Sequence, residues 1–456
     1  MPRYFLGLDI GTTGTKALLI DDGGRVVASA TAEHPLLFPQ PGWSEQRPAD
    51  WWDSAVAATR AALRRVKPAR VKAKGRRVAR GRRAGSGNAA DVGAIGLSGQ
   101  MHGSVFLDAK QRVLRNALLW NDQRTAAECR EIEERAGGRA ELIRLVNNVA
   151  LTGYTAPKVL WLRNHELQTF AKLRTVLLPK DYIAFRLTGK LGSEVSDASG
   201  TLLFDVKQRT WSGELLRRLD LDPGLLPPTV ESCEVAGQLT SDAARELGLP
   251  AGIPVAAGAG DQAASAVGTG VVRSGIVSAT MGTSGVVFAH SDAPVPNGDG
   301  LLQSFCHAVP RAWCVFGCML SAGGSLQWAR EVFFVDRLAA AKSAAARDAI
   351  YTAMIAEAEA APLRHDVVFH PYLTGERCPY AHPHARGAFI GTTRADTRGA
   401  LIRAVLEGIT IGMGRQIEIM RGLGVPIREV RLAGGGARNA WWRQLQADVY
   451  GARCVA

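Results

Sequence analysis

The chain has 456 residues, 46% of them apolar and 21% charged, which excludes a disordered, collagen-like or fibrous protein and leaves room for two large lobes or about three domains. The formal charge of +13 does not describe the whole surface, because eleven Lys and Arg and no acid fall between Arg64 and Arg83, leaving a net +2 for the rest. A broad polyanion-binding face is thereby excluded; only this one segment hints at nucleic acid.

The first thirty residues alternate short β-rich runs with turn residues, and the pattern predicts three antiparallel strands at 4–9, 15–21 and 25–31, joined at Gly11–Gly14 and Gly23–Gly24. A helix from Pro48 to about Val66 follows, with Asp50 expected as its N-cap. The basic run comes next, then a strand at 92–97 ending in Ser-Gly-Gln-Met-His-Gly. Mixed α and β patterning continues to the Pro- and Gly-rich stretch near Leu249, which sets the expected lobe boundary: 1–248 and 249–456. The second half repeats the grammar of the first. A strand at 253–257, a loop with Asp261 and a helix lead to a strand that ends in Met281-Gly282-Thr283-Ser284-Gly285, followed by a strand at 286–290. Each lobe therefore owns a hairpin whose tip reads G-T-[TS]-G, and two such tips facing each other could hold a polyphosphate through backbone N–H groups. The bland alternative is two unrelated hairpin turns. A last glycine cluster, Gly434-Gly435-Gly436, follows a strand at 429–432 and opens a helix at 440–450, where a flat ring or a phosphate can lie against bare backbone.

Seven cysteines at irregular spacing argue against a disulfide framework. No secretory pattern opens the chain, and the longest apolar candidate for a membrane span, 253–272, is interrupted by Asp261. The expectation is a cytoplasmic protein without a membrane segment. The chain has neither G-x-x-x-x-G-K-[ST] nor G-x-G-x-x-G, so phosphate-loop and dinucleotide sites are not expected. Two carboxylates beside glycines carry the chemical interest. Asp9 closes the first strand before the first tip, where it either hydrogen-bonds its own loop or meets phosphate through Mg²⁺. Asp261, in Gly258-Ala259-Gly260-Asp261-Gln262, is either a helix N-cap or a carboxylate left clear to take a proton from a hydroxyl. His102 in a loop reads as structural on its own. Trp120, Asn121 and Asp122 suit either a polyol or a packing cluster. Cys306, His307, Cys314 and Cys318 lie in apolar surroundings and are expected to be buried rather than to bind zinc.

The runs DIGTTGTK, SGQMHG, WNDQRT, KDYIAFRLTG, SDASGTLLFDV, GAGDQAASAVGTG, MGTSGV, PYLTGERCPY and LAGGGARNAWWRQLQAD occur in the order seen in the FGGY carbohydrate kinases, and the sequence resembles that family over nearly its whole length. The resemblance implies an α/β, two-lobed, actin-like (ribonuclease-H-like) fold with a central cleft that closes over sugar to exclude water. It also implies an N-terminal lobe that mainly binds sugar and a C-terminal lobe that mainly binds ATP. By position, Asp261 matches the general base, Asp9 the Mg²⁺-associated carboxylate, and Met101 with His102 the sugar-contacting pair. Thr12, Thr13, Thr283, Gly323, Gln327, Gly435 and Asn439 fall where the family holds ATP. The Met-His-Gly version points to a ketopentose, D-xylulose before others, with ATP and Mg²⁺ as cofactors. Ribulose, gluconate or glycerol, and a non-catalytic actin-like nucleotide-binding protein, are the competing expectations; a homodimer is left open. Two departures stand out: the segment 67–88 is longer and more basic than the family's connection there and is expected to be a solvated insertion, and the sequence stops at Ala456 where family members continue.

Overall fold

The computed structural model describes residues 4–66, 91–362 and 366–456, so the expected basic insertion at 67–88 lies outside the described residues. The chain divides into two compact units: residues 1–265 with 305–311, and residues 266–304 with 312–456. The boundary expected from the Pro- and Gly-rich stretch lies at 248–249, whereas the units meet at Ser265 and Ala266. The reason is strand pairing. Pro254–Ala256 runs parallel to Val92–Gly99, with Val255 opposite Ile95, and so belongs to the first sheet.

In the first unit, β1 (Tyr4–Ile10), β2 (Gly14–Asp21) and β3 (Val26–Glu33) form an antiparallel meander. Alternation along β1 buries Leu6, Leu8 and Ile10 and turns Asp9 outward. The sheet then adds Val92–Gly99 parallel to β1, Pro254–Ala256 parallel to that, and Val235–Gln238 antiparallel at the edge. Helix α1 (Pro48–Arg65) covers this sheet with Trp51, Ala55, Ala58 and Ala62, spaced at the helical repeat and all fully buried. Its N-cap is Arg47, not Asp50 as expected. Pro48 presets the first helical φ, which places Asp50 in the first turn, where it accepts from Arg47 Nε at 2.9 Å and opposes the helix dipole.

The second unit repeats the plan. Trp313–Met319, Gly285–Ser291 and Gly275–Met281 are antiparallel neighbours, and Ile427–Gly434 and then Arg453–Val455 add in parallel. Reading outward from the meander, this is the order β3, β2, β1, Val92–Gly99, Pro254–Ala256 of the first unit. The 25-residue helix Arg398–Gly422 buries Ile402, Val405, Ile409, Met413, Ile417 and Met420 at three- and four-residue spacing. Each fully buried aliphatic side chain contributes about 1.5–3 kcal/mol. Among the described residues no helix is long and apolar enough to cross a membrane.

Candidate active site

In the first unit, three neighbouring strands bring the singled-out residues together. Asp9 sits opposite Ser98 in parallel register, and the short strand Ala259–Gly260 pairs with Ser98 and Gly99 from the other side. Asp9, the Gly99–His102 segment and Asp261 thus follow from the C-terminal ends of adjacent parallel strands. The Asp9 side chain is exposed, and among the described residues it has no hydrogen bond or ion pair, which removes the self-bonded turn reading. Asp261 is the first residue of the helix Asp261–Gly268 and is partly exposed; its Oδ1 accepts from Gln262 Nε2 at 3.3 Å. Burial, followed by the charge of Asp9, pushes the Asp261 carboxyl up to about 7.

The first tip is closed by Gly11 N–H donating to Gly14 O at 3.1 Å. Gly14 is required there, because a Cβ would lie 2.8 Å from the Ala32 carbonyl oxygen. Thr12 Oγ1 donates to Gln100 Oε1 at 3.3 Å and accepts from Trp120 Nε1 at 3.0 Å. Thr13 is exposed, and its carbonyl accepts from His34 N–H at 3.2 Å. Gln46 and Gln100 brace the tip from behind: Gln46 Nε2 donates to Thr12 O at 2.6 Å, and Gln100 Nε2 to Gln46 Oε1 at 2.9 Å. Neither glutamine stands out in the sequence as a site residue: Gln46 lies between Glu45 and Arg47 and Gln100 between Gly99 and Met101, and a side-chain amide carries no signal of its partner.

Met101 is buried against Gly260, where a Cβ would meet its side chain at 2.8 Å. His102 is half-buried, with Nδ1 at 2.7 Å from Gly200 O. A carbonyl oxygen only accepts, so Nδ1 carries a proton. The His102 ring packs on Tyr154, with centroids 4.8 Å apart. Of the Trp-Asn-Asp trio, Trp120 is exposed at 41%, whereas Asp122 is fully buried, accepts from Ser44 N–H and pairs with Arg124 at 2.7 Å. Asp122 therefore serves packing.

In the second unit a cavity of about 600 Å³ is lined by Thr283, Gly323, Gln327, Gly435 and Asn439, all five of the residues expected there. Its floor is built from glycines. Gly282 N–H closes the second tip on Ser284 O at 3.0 Å, and Gly323 and Gly324 N–H donate back to the carbonyls of Gly282 and Thr283 at 2.9 and 3.0 Å. This ties the start of the helix Gly323–Phe333 to the tip. Gly435 is exposed, and nothing would meet a Cβ there, so its face is open. Asn439 Oδ1 is committed to capping the helix Ala440–Tyr450 through Trp442 N–H at 2.9 Å. Leu326, Ile355 and Trp442 supply an apolar wall, giving the mix of bare backbone and apolar surface that a purine and its phosphates fit.

The seven cysteines, all among the described residues, form no disulfide, and Cys233 alone of them is exposed. Cys306 and Cys314 are buried and Cys318 partly so; burial pushes the Cys306 thiol up to about 12. Among the described residues no three His, Cys, Asp or Glu gather as metal ligands.

Residues 4–268 match the model of the FGGY family of carbohydrate kinases, N-terminal domain, and residues 277–456 that of its C-terminal domain. The chain belongs to the FGGY family of carbohydrate kinases. It is 39% identical to a xylulose kinase of Escherichia coli (strain K12), covering 98% of this chain and 85% of that one, and 35% identical to a xylulose kinase of Bacillus subtilis (strain 168), covering 99% and 84%. Its fold matches the crystal structure of a xylulose kinase from Rhodospirillum rubrum with a TM-score of 0.85 at 30% identity, over 99% of this chain and 86% of that one. This FGGY kinase thus has the α/β, two-domain, actin-like architecture, and membership makes it a sugar kinase, a phosphotransferase that uses ATP.

Proposed function

We propose that this FGGY kinase transfers the γ-phosphoryl group of ATP to D-xylulose, giving D-xylulose 5-phosphate, with Asp261 as the general base. The observation that carries the reading is the placement of Asp261 directly after the strand Ala259–Gly260, one strand from Asp9 and next to the glycine that packs on Met101; there burial and the charge of Asp9 push its carboxyl up to about 7. A base tuned near neutral pH can take the hydroxyl proton as the oxygen bonds to phosphorus. His102 is the sugar-contacting side chain, Met101 lends an apolar wall, and the exposed Trp120 ring offers a face to the carbon chain. In the second unit Thr283, Gly323, Gln327, Gly435 and Asn439 hold the nucleotide; in the first unit Thr12 and Thr13 are the residues assigned to phosphate.

The residues present fit Mg²⁺. Asp9 offers a carboxylate without a protein partner, and no dedicated cage of ligands surrounds it among the described residues, which suits an ion that keeps most of its waters and takes phosphate oxygens. Asp9 would hold the ion through water, and the ion would offset charge on the transferring group. The kinship to xylulose kinases supports xylulose over ribulose, gluconate or glycerol.

The test is ADP release measured over a panel of these sugars, with Asp261→Asn beside the wild type. Xylulose is expected to give the highest kcat/KM. Asp261→Asn is expected to lower kcat by about a hundredfold to ten-thousandfold while ATP affinity changes little. A wild type that releases no ADP with any sugar would overturn the reading.

A further inference from the structure

His102 has φ of +68°, and Gly103 N–H donates to Met101 O at 2.8 Å across it. That is the rarer, strained form of the γ-turn, and a residue with a side chain occupies it only where the surroundings hold it. The turn packs closely on Pro179, since a Cβ on Gly103 would lie 2.6 Å from its ring. The hold comes from below. On the helix Thr155–His165, Lys158 is fully buried and its Nζ donates to His102 O at 2.8 Å and to Gly153 O at 2.6 Å. Thr155 Oγ1, also buried, adds a second bond to His102 O at 3.1 Å.

Resting on the sugar site described under Proposed function, we propose that Lys158 is a positioning residue that holds the Met101–His102–Gly103 turn, and with it the sugar-facing His102 ring, in its binding conformation. Lys158 has no exposed surface, so it touches neither sugar nor nucleotide. Its role is mechanical: one ammonium pins the strained turn to the Gly153 turn, whose own backbone lies against Trp120, since a Cβ on Gly153 would sit 2.4 Å from Trp120 O. The two walls of the sugar site, His102 and Trp120, are thereby referred to a single buried group. Burying an ammonium is costly unless donors and charge are matched. Here the donors are met by two carbonyls, while burial, with Arg124 acting in the same direction and Asp122 against it, draws Lys158 down to about 7. A surface lysine would serve solubility at no such cost.

The experiment is Lys158→Met, an apolar side chain of similar length, assayed for sugar KM, ATP KM and kcat, with hydrogen–deuterium exchange of residues 100–104. The expected result is a sugar KM raised about tenfold or more, the weight of a hydrogen bond to a charged group, with ATP KM and kcat within about threefold and faster exchange at 102–103. Unchanged sugar KM and exchange overturn the proposal, as does an equal loss in all three kinetic constants, which would mark a merely structural lysine. If Lys158→Met fails to fold, Thr155→Val, which removes the second donor to the same carbonyl, decides by the same split at smaller size. Should the wild type phosphorylate no sugar, the kinase reading fails, and the exchange data still decide whether Lys158 holds the turn.

Discussion

Glu376 is 3% exposed in the second unit, where its Oε1 accepts the backbone N–H of Leu320, Arg377 and Cys378 at 3.0, 2.7 and 3.3 Å. Its other oxygen is buried without a hydrogen-bond partner among the described residues. Burial pushes the carboxyl from 4.5 to about 7, against those three N–H groups. The folded chain therefore keeps a proton that the unfolded chain releases between these two values. The contribution to stability is full below about 4.5 and is lost as pH rises through about 7. Glu376→Gln keeps the acceptor and removes the charge. It should flatten this slope and raise the melting temperature at pH 8 by about 2–4 °C, with little change at pH 5. Thermal unfolding at the two pH values checks it, and an unaltered slope would contradict it. Nothing in Gly375-Glu376-Arg377 reports this burial, since an acid beside an arginine reads as solvated. Asp9 and Asp261 were legible for the opposite reason: glycines at strand ends mark places where a carboxylate meets something other than side chains.

The hairpins and the glycine-led helix starts are the elements that the sequence displays best. Short β-rich runs bounded by Gly11–Gly14 and Gly23–Gly24 place β1 to β3 within a residue or two, and the last helix begins and ends where expected. What stayed hidden is which glycines are tertiary requirements. A Cβ on Gly323 would lie 2.3 Å from Gly282 O, and one on Gly200 would lie 2.6 Å from His102 Nδ1. Gly323→Ala must push the helix start away from the second tip, so ATP affinity is expected to fall about tenfold with sugar affinity unchanged. Gly200→Ala must displace the His102 ring, so the reverse pattern is expected. Calorimetric titration of each variant with each ligand checks both, and a variant that weakens both ligands equally would point to general misfolding. A strand at 253–257 is expected from the sequence, but the Pro- and Gly-rich stretch before it assigns it to the second lobe, whereas its pairing with Val92–Gly99 places it in the first sheet. Local composition does not contain that information.

At the scale of the whole chain, the repeated grammar of the two halves was the feature most open to reading, and it corresponds to two sheets of matching strand order. Sugar and nucleotide are assigned to different units, which separates their effects. ATP should slow hydrogen exchange at 281–285, 323–327 and 435–439, and xylulose at 100–103 and 260–262. At about a hundredfold excess over its Kd, either ligand adds about 2.7 kcal/mol to the unit that binds it. Protection of the first set by xylulose alone would contradict the assignment. Cysteine placement then supplies a tool. Thiolate is the reacting form, and burial raises the Cys129 and Cys306 thiols to about 12 and Cys454 to about 11, whereas Cys233 is open to solvent. A maleimide dye should accordingly mark the native protein at one position, and the slower arrival of further label would time the opening of its interior.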